Sequence, residues 1–341
     1  MSRYLFSSLT RNSQLTEETL QFQTKPRSKW RTGDFVVATV KPFPSGLRDV
    51  ELANGRMTEV FGGERVVGAL GTRSATLQAV GDWKFIGEDG QLEALTAACV
   101  FGRCTSKSHF LPPLLSLSYT GHVMKDGQFL NMRDCRIPVT GNRATMPIIL
   151  IIGTSMEAGK TITAGVIIRL LKRRGLSVAG AKFTGVGRYR DILNMYDAGA
   201  DWVYDFVDAG LPSTSCPSDE YQSVVDGLLR RMDDHKPDVL VAEVGASPLE
   251  PYNGELAIKE VRKQVCLTVL CASDPYAVLG VIKAFDINPD LVTGRATSTS
   301  ASIDLVNKLS HLTAIDILDP KSLAILEELV LGKLATRKSE L

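Results

Sequence analysis

The segment from Gly153 to Ile162 contains the residue types that a phosphate-binding loop requires. It reads Gly153-Thr154-Ser155-Met156-Glu157-Ala158-Gly159-Lys160-Thr161-Ile162, after an apolar run and before an amphipathic one. In such a loop, backbone N–H groups and the positive end of the following helix bind phosphate oxygens, and a lysine reaches their outer oxygens. The hydroxyl of Thr161 is suited to ligate Mg²⁺. Residues 153–162 are therefore predicted to bind a nucleotide, with Lys160 as the phosphate-binding lysine.

The spacing of this loop differs by one residue from the usual pattern. Five residues rather than four separate Gly153 from Gly159, and Thr154 stands where the first glycine is expected. A chance Gly-Lys-Thr at a helix start is the alternative interpretation. The combination of buried strand, glycine turn and helix favours phosphate binding.

The arrangement G-T-x-x-x-x-G-K-T resembles dethiobiotin synthetase and related P-loop ligases and amidotransferases. That family has an aspartate after the threonine, which helps to hold the metal, whereas this chain has Ser155. The resemblance implies ATP and Mg²⁺ as cofactors. It also implies that Lys182, at the end of the second strand, lies near substrate and phosphate.

The same resemblance assigns roles to two carboxylates. Glu243 ends a third apolar strand before a glycine turn, where the family's glutamate faces the metal, and parallel sheets bind ligands at this edge. Asp191 is a candidate to replace the missing loop aspartate. We therefore predict Lys160, Lys182 and Glu243 as catalytic residues, and Thr161, Glu243 and Asp191 as metal ligands.

A second resemblance covers residues 147–275 only. A poorly characterised P-loop group, which includes proteins linked to D-amino-acid N-acetylation, is similar in several short motifs. These correspond to Lys160, Thr184-Gly185, Asp205-Phe206-Val207 and the group Glu243, Gly245, Ser247, Pro251 and Tyr252. Only the nucleotide chemistry is carried over, because that group begins with a different domain.

Together these resemblances imply an ATP-dependent, ligase-like or kinase-like enzyme. It would activate a carboxylate or carbamate of a small, amino-acid-like molecule for transfer to an amine. Two alternatives remain open. One is an N-acyltransferase that uses acyl-coenzyme A, and the other is a nucleotide-dependent switch or metallocentre chaperone.

The elements that position these residues are predicted from the alternation of apolar runs and amphipathic segments after residue 142. Strands in MPIILIIG, LSVAGAKFTG, DVLVAEVG, QVCLTVLCASD and PDLVTGRAT alternate with helices in TITAGVIIRLLKRRG and YQSVVDGLLRRMDDHKP. This alternation predicts a doubly wound parallel sheet, an α/β P-loop NTPase domain, over residues 143–341. The intervening segment 185–191 is predicted as a loop.

The region before this domain is rich in short strand patterns. Asn54-Gly55 and Asp126-Gly127 each separate two strand-like segments and predict β-hairpins. We predict a β-rich barrel or sandwich over residues 32–142, preceded by an arm over 1–31 that is either loose or docked as a strand. The β-rich domain is expected to close over the active site, to supply the second substrate, or to build a homo-oligomer such as a homodimer.

Composition excludes several classes of protein. The chain has 39 Lys+Arg against 38 Asp+Glu and a net charge of +1, so no overall field attracts nucleic acid or an anionic membrane. Its apolar runs are too short to span a bilayer. The start of the sequence does not resemble a secretory signal, so we expect a cytoplasmic protein that acts on a small molecule. The six cysteines contain no C-x-x-C pair and are expected to be buried thiols.

Overall fold

The computed structural model describes residues 3–42, 46, 48–139, 141, 145–245 and 247–340. The chain divides into two compact units that are interleaved in sequence. The first contains residues 1–138 together with Val186–Arg190 and Phe206–Cys216, and the second contains Val139–Gly185, Asp191–Asp205 and Pro217–Leu341. The predicted boundary between residues 142 and 143 lies outside the described residues.

The first unit is β-rich, as predicted. Its strands are β1 (Tyr4–Phe6), β2 (Gln21–Gln23), β3 (Phe35–Val40), β4 (Asp49–Glu51), β5 (Met57–Glu59), β6 (Arg65–Leu70), β7 (Thr72–Ser74), β8 (Ala79–Asp82), β9 (Gln91–Ala94), β10 (Val100–Lys107), β11 (Ser116–Lys125) and β12 (Gln128–Phe129). The main sheet has the order β1-β6-β3-β11-β9-β10-β8-β7, and β6 also pairs with β10. Its interior is a cluster of apolar side chains that includes Val36, Val66, Leu92 and Phe101.

Both predicted hairpins are confirmed, and the N-terminal arm is docked. Strands β4 and β5 pair across the Asn54-Gly55 turn, and β11 and β12 pair across Asp126-Gly127. Asp126 and Gly127 both have positive φ, of 51° and 74°, as a two-residue hairpin turn requires. The arm over 1–31 supplies β1, which pairs with β6, and β2, which pairs with β11.

The second unit is a parallel sheet connected by helices. Its elements are β13 (Ile148–Gly153), α1 (Lys160–Arg173), β14 (Val178–Thr184), α2 (Tyr189–Asp197, whose first two residues belong to the first unit), β15 (Trp202–Asp205), α3 (Ser218–Asp233), β16 (Val239–Val244), α4 (Gly254–Val261), β17 (Val265–Cys271), α5 (Pro275–Phe285), β18 (Leu291–Thr293), α6 (Ser300–Ser310) and α7 (Leu323–Glu340). The strand order is β15-β14-β16-β13-β17-β18, and all pairings are parallel. This topology confirms the predicted α/β fold class, a parallel sheet with connecting helices.

Burial on both faces explains the continuous apolar strands of this sheet. Ile149 and Ile151 of β13 pack in one core cluster with residues of α1 and α7. The alternate residues Ile148, Leu150 and Ile152 point to the opposite face and are also buried. Parallel strands covered on both sides need apolar residues at every position, which is the pattern in the sequence.

Two elements of this unit differ from the prediction. Strand β15 was not predicted, because it is only four residues long and its apolar pattern is weak. Segment 185–191 is not wholly a loop, since α2 begins at Tyr189. The chain therefore makes one more strand and one more helix between β14 and α3 than the sequence pattern indicates.

The structure also tests the expectations about the cysteines and about membrane-spanning segments. In the described chain, all six cysteines are free thiols, but only Cys99 and Cys271 are buried, and the other four are partly exposed. The expectation of buried thiols is therefore wrong for those four. Among the described residues, no helix is long and apolar enough to cross a membrane.

Candidate functional site

The loop between β13 and α1 depends on two glycines. Gly159 immediately precedes α1 with φ of 107°, a left-handed conformation that glycine adopts without strain. A Cβ at Gly153 would lie 2.8 Å from Lys160 Nζ, so that position must be glycine for the lysine to fold back over the loop. These glycines shape a cradle at the N-terminus of α1, where backbone N–H groups are available to bind an anion.

Lys160 lies inside this cradle with 3% of its surface exposed. Its Nζ donates to the carbonyl oxygens of Ser155, at 2.7 Å, and Met156, at 3.4 Å. The ammonium group of Lys160 is thus bound to the same loop that is predicted to bind phosphate. Burial lowers the pKa of Lys160, and the nearby Glu243 carboxylate partly offsets that effect.

Thr161 and Glu243, which the sequence predicts as metal ligands, are in contact. Thr161 is the second residue of α1, and Glu243 lies near the C-terminal end of β16, the strand next to β13. The Thr161 hydroxyl donates to Glu243 Oε2 at 3.1 Å. The two predicted metal ligands are therefore joined by a hydrogen bond.

Three charged residues lie side by side across neighbouring strands. Lys182 of β14 is in register with Asp205 of β15 on one side and with Glu243 of β16 on the other. Residues in register on parallel strands point to the same face, so the lysine lies between two carboxylates. All three are at most 8% exposed.

Asp191 completes the surroundings of Lys182. Its Oδ2 forms an ion pair with Lys182 Nζ, and its side chain is 22% exposed. The structure thus places Asp191 at the predicted site, with one carboxylate oxygen engaged by the lysine. Burial alone would lower the pKa of Lys182, but Asp191 and Glu243 outweigh it and raise the pKa above its ordinary value.

Glu243 has the opposite balance. Burial raises its pKa, and the charge of Asp191 adds to that effect, while Lys182, Lys160 and the Thr161 hydroxyl oppose it. The carboxylate is therefore held with a higher proton affinity than an ordinary glutamate. A group shifted in this way by burial and by neighbouring charges is typical of functional sites.

Two further residues lie at the site, and the first of them, Glu250, was not predicted from the sequence. Glu250 is 6% exposed and close enough to raise the pKa of Lys160 by its charge. Gly294, after β18, has φ of 94°, and a Cβ there would lie 2.1 Å from the Ala158 carbonyl oxygen. Asp205, noted only as part of a motif, belongs to the site as well. If β15 had been recognised in the sequence, aligning the ends of β14, β15 and β16 would have placed Asp205 beside Lys182 and Glu243.

Three other residues of the predicted loop do not point into the cradle. Thr154 binds away from the cradle, with Oγ1 donating to Ser273 Oγ at 3.1 Å and accepting from the Ser273 N–H at 2.9 Å. Glu157 is exposed and lies 3.9 Å from Arg295, and Ile162 is 55% exposed. Thr154 therefore fixes the loop to the end of β17, while Glu157 and Ile162 face solvent.

The formal charges of this cluster favour a divalent cation. Two lysines, Lys160 and Lys182, stand against four carboxylates, which are Asp191, Asp205, Glu243 and Glu250. The excess of two negative charges equals the charge of Mg²⁺, and carboxylate and hydroxyl oxygens are ligands that Mg²⁺ accepts. Over the described ranges, however, no group of three or more His, Cys, Asp or Glu side chains is arranged to hold a metal on its own. Phosphate oxygens and water would have to complete the coordination.

Comparison with known proteins finds partial structural likeness. No protein-family model and no curated protein matches the sequence. The chloroplast FtsY of Physcomitrella patens is 15% identical, with a TM-score of 0.37, over 52% of this chain and 59% of that one. HypB from Helicobacter pylori, solved in complex with nickel, is 16% identical with a TM-score of 0.37, over 56% and 88% of the two chains.

A third similar structure is the signal recognition particle 54 kDa protein of Aeropyrum pernix K1, solved in complex with GDP. It is 16% identical with a TM-score of 0.36, over 57% of this chain and 49% of that one. The chain spans about three fifths of the length of three of the FtsY structures it matches. At these values the likeness assigns neither a family nor an activity.

Proposed function

We propose that the chain is an enzyme that binds a magnesium nucleoside triphosphate, ATP by the resemblance of its loop, at residues 153–162. It would use the nucleotide to activate a carboxylate or carbamate of a small, amino-acid-like molecule for transfer to an amine. The observation that carries this proposal is the contact between Thr161 and Glu243 beside the buried Lys160. These groups meet at the carboxyl end of a parallel sheet, where such folds bind ligands.

The residues at this site fit a magnesium nucleoside triphosphate. Gly153 leaves room for Lys160 to fold back over the loop, and the four nearby carboxylates outnumber the two lysines. When bound, Mg²⁺ would neutralise charge on the β- and γ-phosphates. Thr161 and Glu243 are the residues of this chain that would hold it, directly or through water.

The chemistry of the activation step needs no protein nucleophile. A substrate carboxylate oxygen bonds to the γ-phosphorus as the bond to the β–γ bridging oxygen breaks, giving an acyl phosphate and a nucleoside diphosphate. The amine then attacks the acyl carbon, loses a proton, and inorganic phosphate leaves. Such a reaction depends on positioning and on charge stabilisation, which two buried lysines can provide.

Lys182 is the residue that we assign to the substrate. It lies between Asp205 and Glu243 and is paired with Asp191, so its ammonium group is held in one place and kept protonated. A fixed, protonated lysine beside the phosphate site is suited to bind an anionic substrate or the transferred phosphoryl group. Asp191 would release one oxygen when that anion binds.

Binding and turnover experiments test this proposal. Purified full-length protein is titrated calorimetrically with Mg·ATP, Mg·GTP and acetyl-coenzyme A, and is then incubated with each and pooled amino acids while phosphate and thiol release are followed. We expect Mg·ATP binding and substrate-dependent phosphate release. Thiol release without nucleotide binding would favour the acyltransferase alternative, and binding of none of the three would contradict the proposal.

A conservative variant isolates the metal contact. Thr161→Val keeps the shape of the side chain and removes the hydroxyl, so we expect weaker nucleotide binding in Mg²⁺ and unchanged binding in a metal chelator. Thr163→Val, on the same helix, serves as the matched control because the Thr163 hydroxyl contacts Cys271 Sγ instead. Equal effects of both variants would show that the Thr161 hydroxyl does not act through a metal.

A further inference from the structure

The chain passes between its two units at positions next to Lys182. Three of the junctions follow Gly185, precede Asp191 and follow Asp205. Asp191 is paired with Lys182, Asp205 is in register with it, and a Cβ at Gly185 would lie 3.3 Å from Lys182 Cε. These three residues of the second unit are therefore adjacent in sequence to segments that belong to the β-rich unit.

Within the first unit, Glu51 binds one of these segments. Its side chain is fully buried, and its carboxylate accepts hydrogen bonds from the backbone N–H groups of Tyr189, at 2.8 Å, and Arg190, at 2.9 Å. The Ser8 hydroxyl donates to the same carboxylate. Tyr189 and Arg190 begin helix α2, whose first N–H groups have no partner within the helix, so the carboxylate satisfies them and complements the helix dipole.

A second set of contacts holds segments 186–190 and 206–216 within the first unit. Arg11 forms an ion pair with Asp208 at 2.9 Å, and Asn12 donates to the same oxygen at 3.0 Å. The Arg11 guanidinium also stacks on the Tyr189 ring, 4.6 Å from its centroid. Arg11 thus contacts segment 206–216 through Asp208 and segment 186–190 through Tyr189.

We infer that Glu51 is a positioning residue for the candidate site. By binding the N–H groups of Tyr189 and Arg190, it fixes the start of α2, and the next residue in the chain is Asp191. The place of the Asp191 carboxylate, and with it the orientation of Lys182, then depends on a glutamate 131 to 140 positions earlier in the sequence. The positioning of Asp191 and Lys182 by Glu51 does not depend on the proposed function, whereas its expected effect on nucleotide binding rests on that function.

Chemical labelling of ligand-free protein tests the inference without any nucleotide. Full-length protein is treated with limiting acetic anhydride at one fixed pH, and acetylation of Lys182 is quantified by mass spectrometry. Asp191→Asn removes the ion pair and is expected to raise Lys182 acetylation. Glu51→Gln, which cannot accept from all three donors, is expected to raise it about two- to thirtyfold. Glu59→Gln, exposed on the same hairpin, is the matched control and should leave it unchanged.

The outcomes separate positioning from a purely structural role. Ser8→Ala removes one donor to Glu51 and keeps its bonds to α2, so it should lower stability without raising Lys182 acetylation. Increased acetylation in Asp191→Asn but not in Glu51→Gln would overturn the inference. No increase in Asp191→Asn would overturn it too, since the ion pair would then not hold Lys182. If Glu51→Gln does not fold, Glu51→Asp replaces it, because the shorter carboxylate keeps its charge and loses its reach.

A double-mutant cycle on Mg·ATP affinity provides the second readout. If Glu51 acts through Asp191, Glu51→Gln should weaken binding in the wild-type background and have no further effect in the Asp191→Asn background. Additive effects would overturn the inference. Absence of nucleotide binding in the wild type would contradict the proposed function instead, and the labelling result would still decide the role of Glu51.

Discussion

Each unit of the molecule contains a buried carboxylate, and the two are satisfied differently. In the β-rich unit, Asp34 accepts from Lys25 Nζ at 2.6 Å, Asn131 Nδ2 at 2.9 Å and the Arg31 N–H at 2.9 Å, and His122 Nε2 lies 3.3 Å away. In the parallel-sheet unit, Glu243 accepts from the Thr161 hydroxyl and is close to a further carboxylate.

The pKa shifts of these two carboxylates have opposite signs. Burial alone would raise the pKa of Asp34, but His122, Lys25 and Asn131 outweigh it and bring the pKa below its ordinary value. Burial raises the pKa of Glu243, and its partners do not cancel that effect. A buried carboxylate surrounded by donors stabilises a fold, whereas one whose pKa burial keeps raised despite its neighbouring lysines is typical of functional sites.

The largest effect is expected from breaking the satisfied cluster. Asp34→Asn leaves Lys25 without its carboxylate, and removing one partner of a buried ion pair costs about 3–5 kcal/mol. Urea unfolding followed by tryptophan fluorescence measures the loss, because Trp30 lies 4.9 Å from the His122 ring. Glu88→Gln, on the surface, is the control, and an equal loss in both variants would contradict the assignment of Asp34 as a structural carboxylate.

The next effect concerns the lysine of the phosphate loop. Lys160→Ala removes a charge that no backbone N–H replaces, so Mg·ATP affinity should fall at least about thirtyfold, the loss found when a buried charged partner is truncated. Calorimetry measures the affinity, and circular dichroism checks that the fold is retained. Lys283→Ala on α5 is the matched surface control. Unchanged affinity in Lys160→Ala would refute phosphate binding by this lysine.

A smaller effect is expected from the glycine that touches the loop. In Gly294→Ala the Cβ would lie 2.1 Å from the Ala158 carbonyl oxygen at a φ of 94°, and such backbone strain costs about 1–3 kcal/mol. Stability and nucleotide affinity should both fall, as measured by urea unfolding and calorimetry. Gly280→Ala has open space around the new Cβ and lies within α5, so it should instead gain about 0.5–1 kcal/mol.

The smallest effect is the pH dependence of the β-rich unit. Burial lowers the pKa of His122 below its ordinary 6.5, although Asp34 partly opposes it. The unfolded chain therefore binds a proton before the folded chain does, so stability is full above pH 6.5 and falls as the pH drops below it. The lowered pKa of Asp34 adds a second loss further into acid. His122→Gln should flatten the change in unfolding free energy between pH 7 and pH 5.5.

Local features of the fold could be predicted from the sequence because their causes are local. Asn54-Gly55 determines its turn by the conformations those residues allow, and the glycine loop before Lys160 is recognisable by spacing alone. Strand β15 could not be predicted in this way, since four residues with one fully buried side chain carry too little pattern. It is held by pairing with β14, a partner more than twenty residues earlier.

The residues of the candidate site also divide into those with local sequence patterns and those brought in by distant contacts. Lys160, Thr161 and Glu243 lie in recognisable local contexts, and the structure brings them together. The contribution of Glu250 to the surroundings of Lys160 depends on how distant segments meet, which no pattern around Glu250 reveals. Glu51 is the extreme case, because its partners lie some 140 positions later in the chain.

The interleaving of the two units also has a consequence for synthesis. Protein chains leave the ribosome from the N-terminus, and domains usually fold as they emerge. The β-rich unit includes Phe206–Cys216, so its last residues are translated after β13, α1 and β14 of the other unit. The nascent β-rich unit cannot complete itself while only the first 138 residues are outside the ribosome, and its maturation must wait for roughly two thirds of the polypeptide.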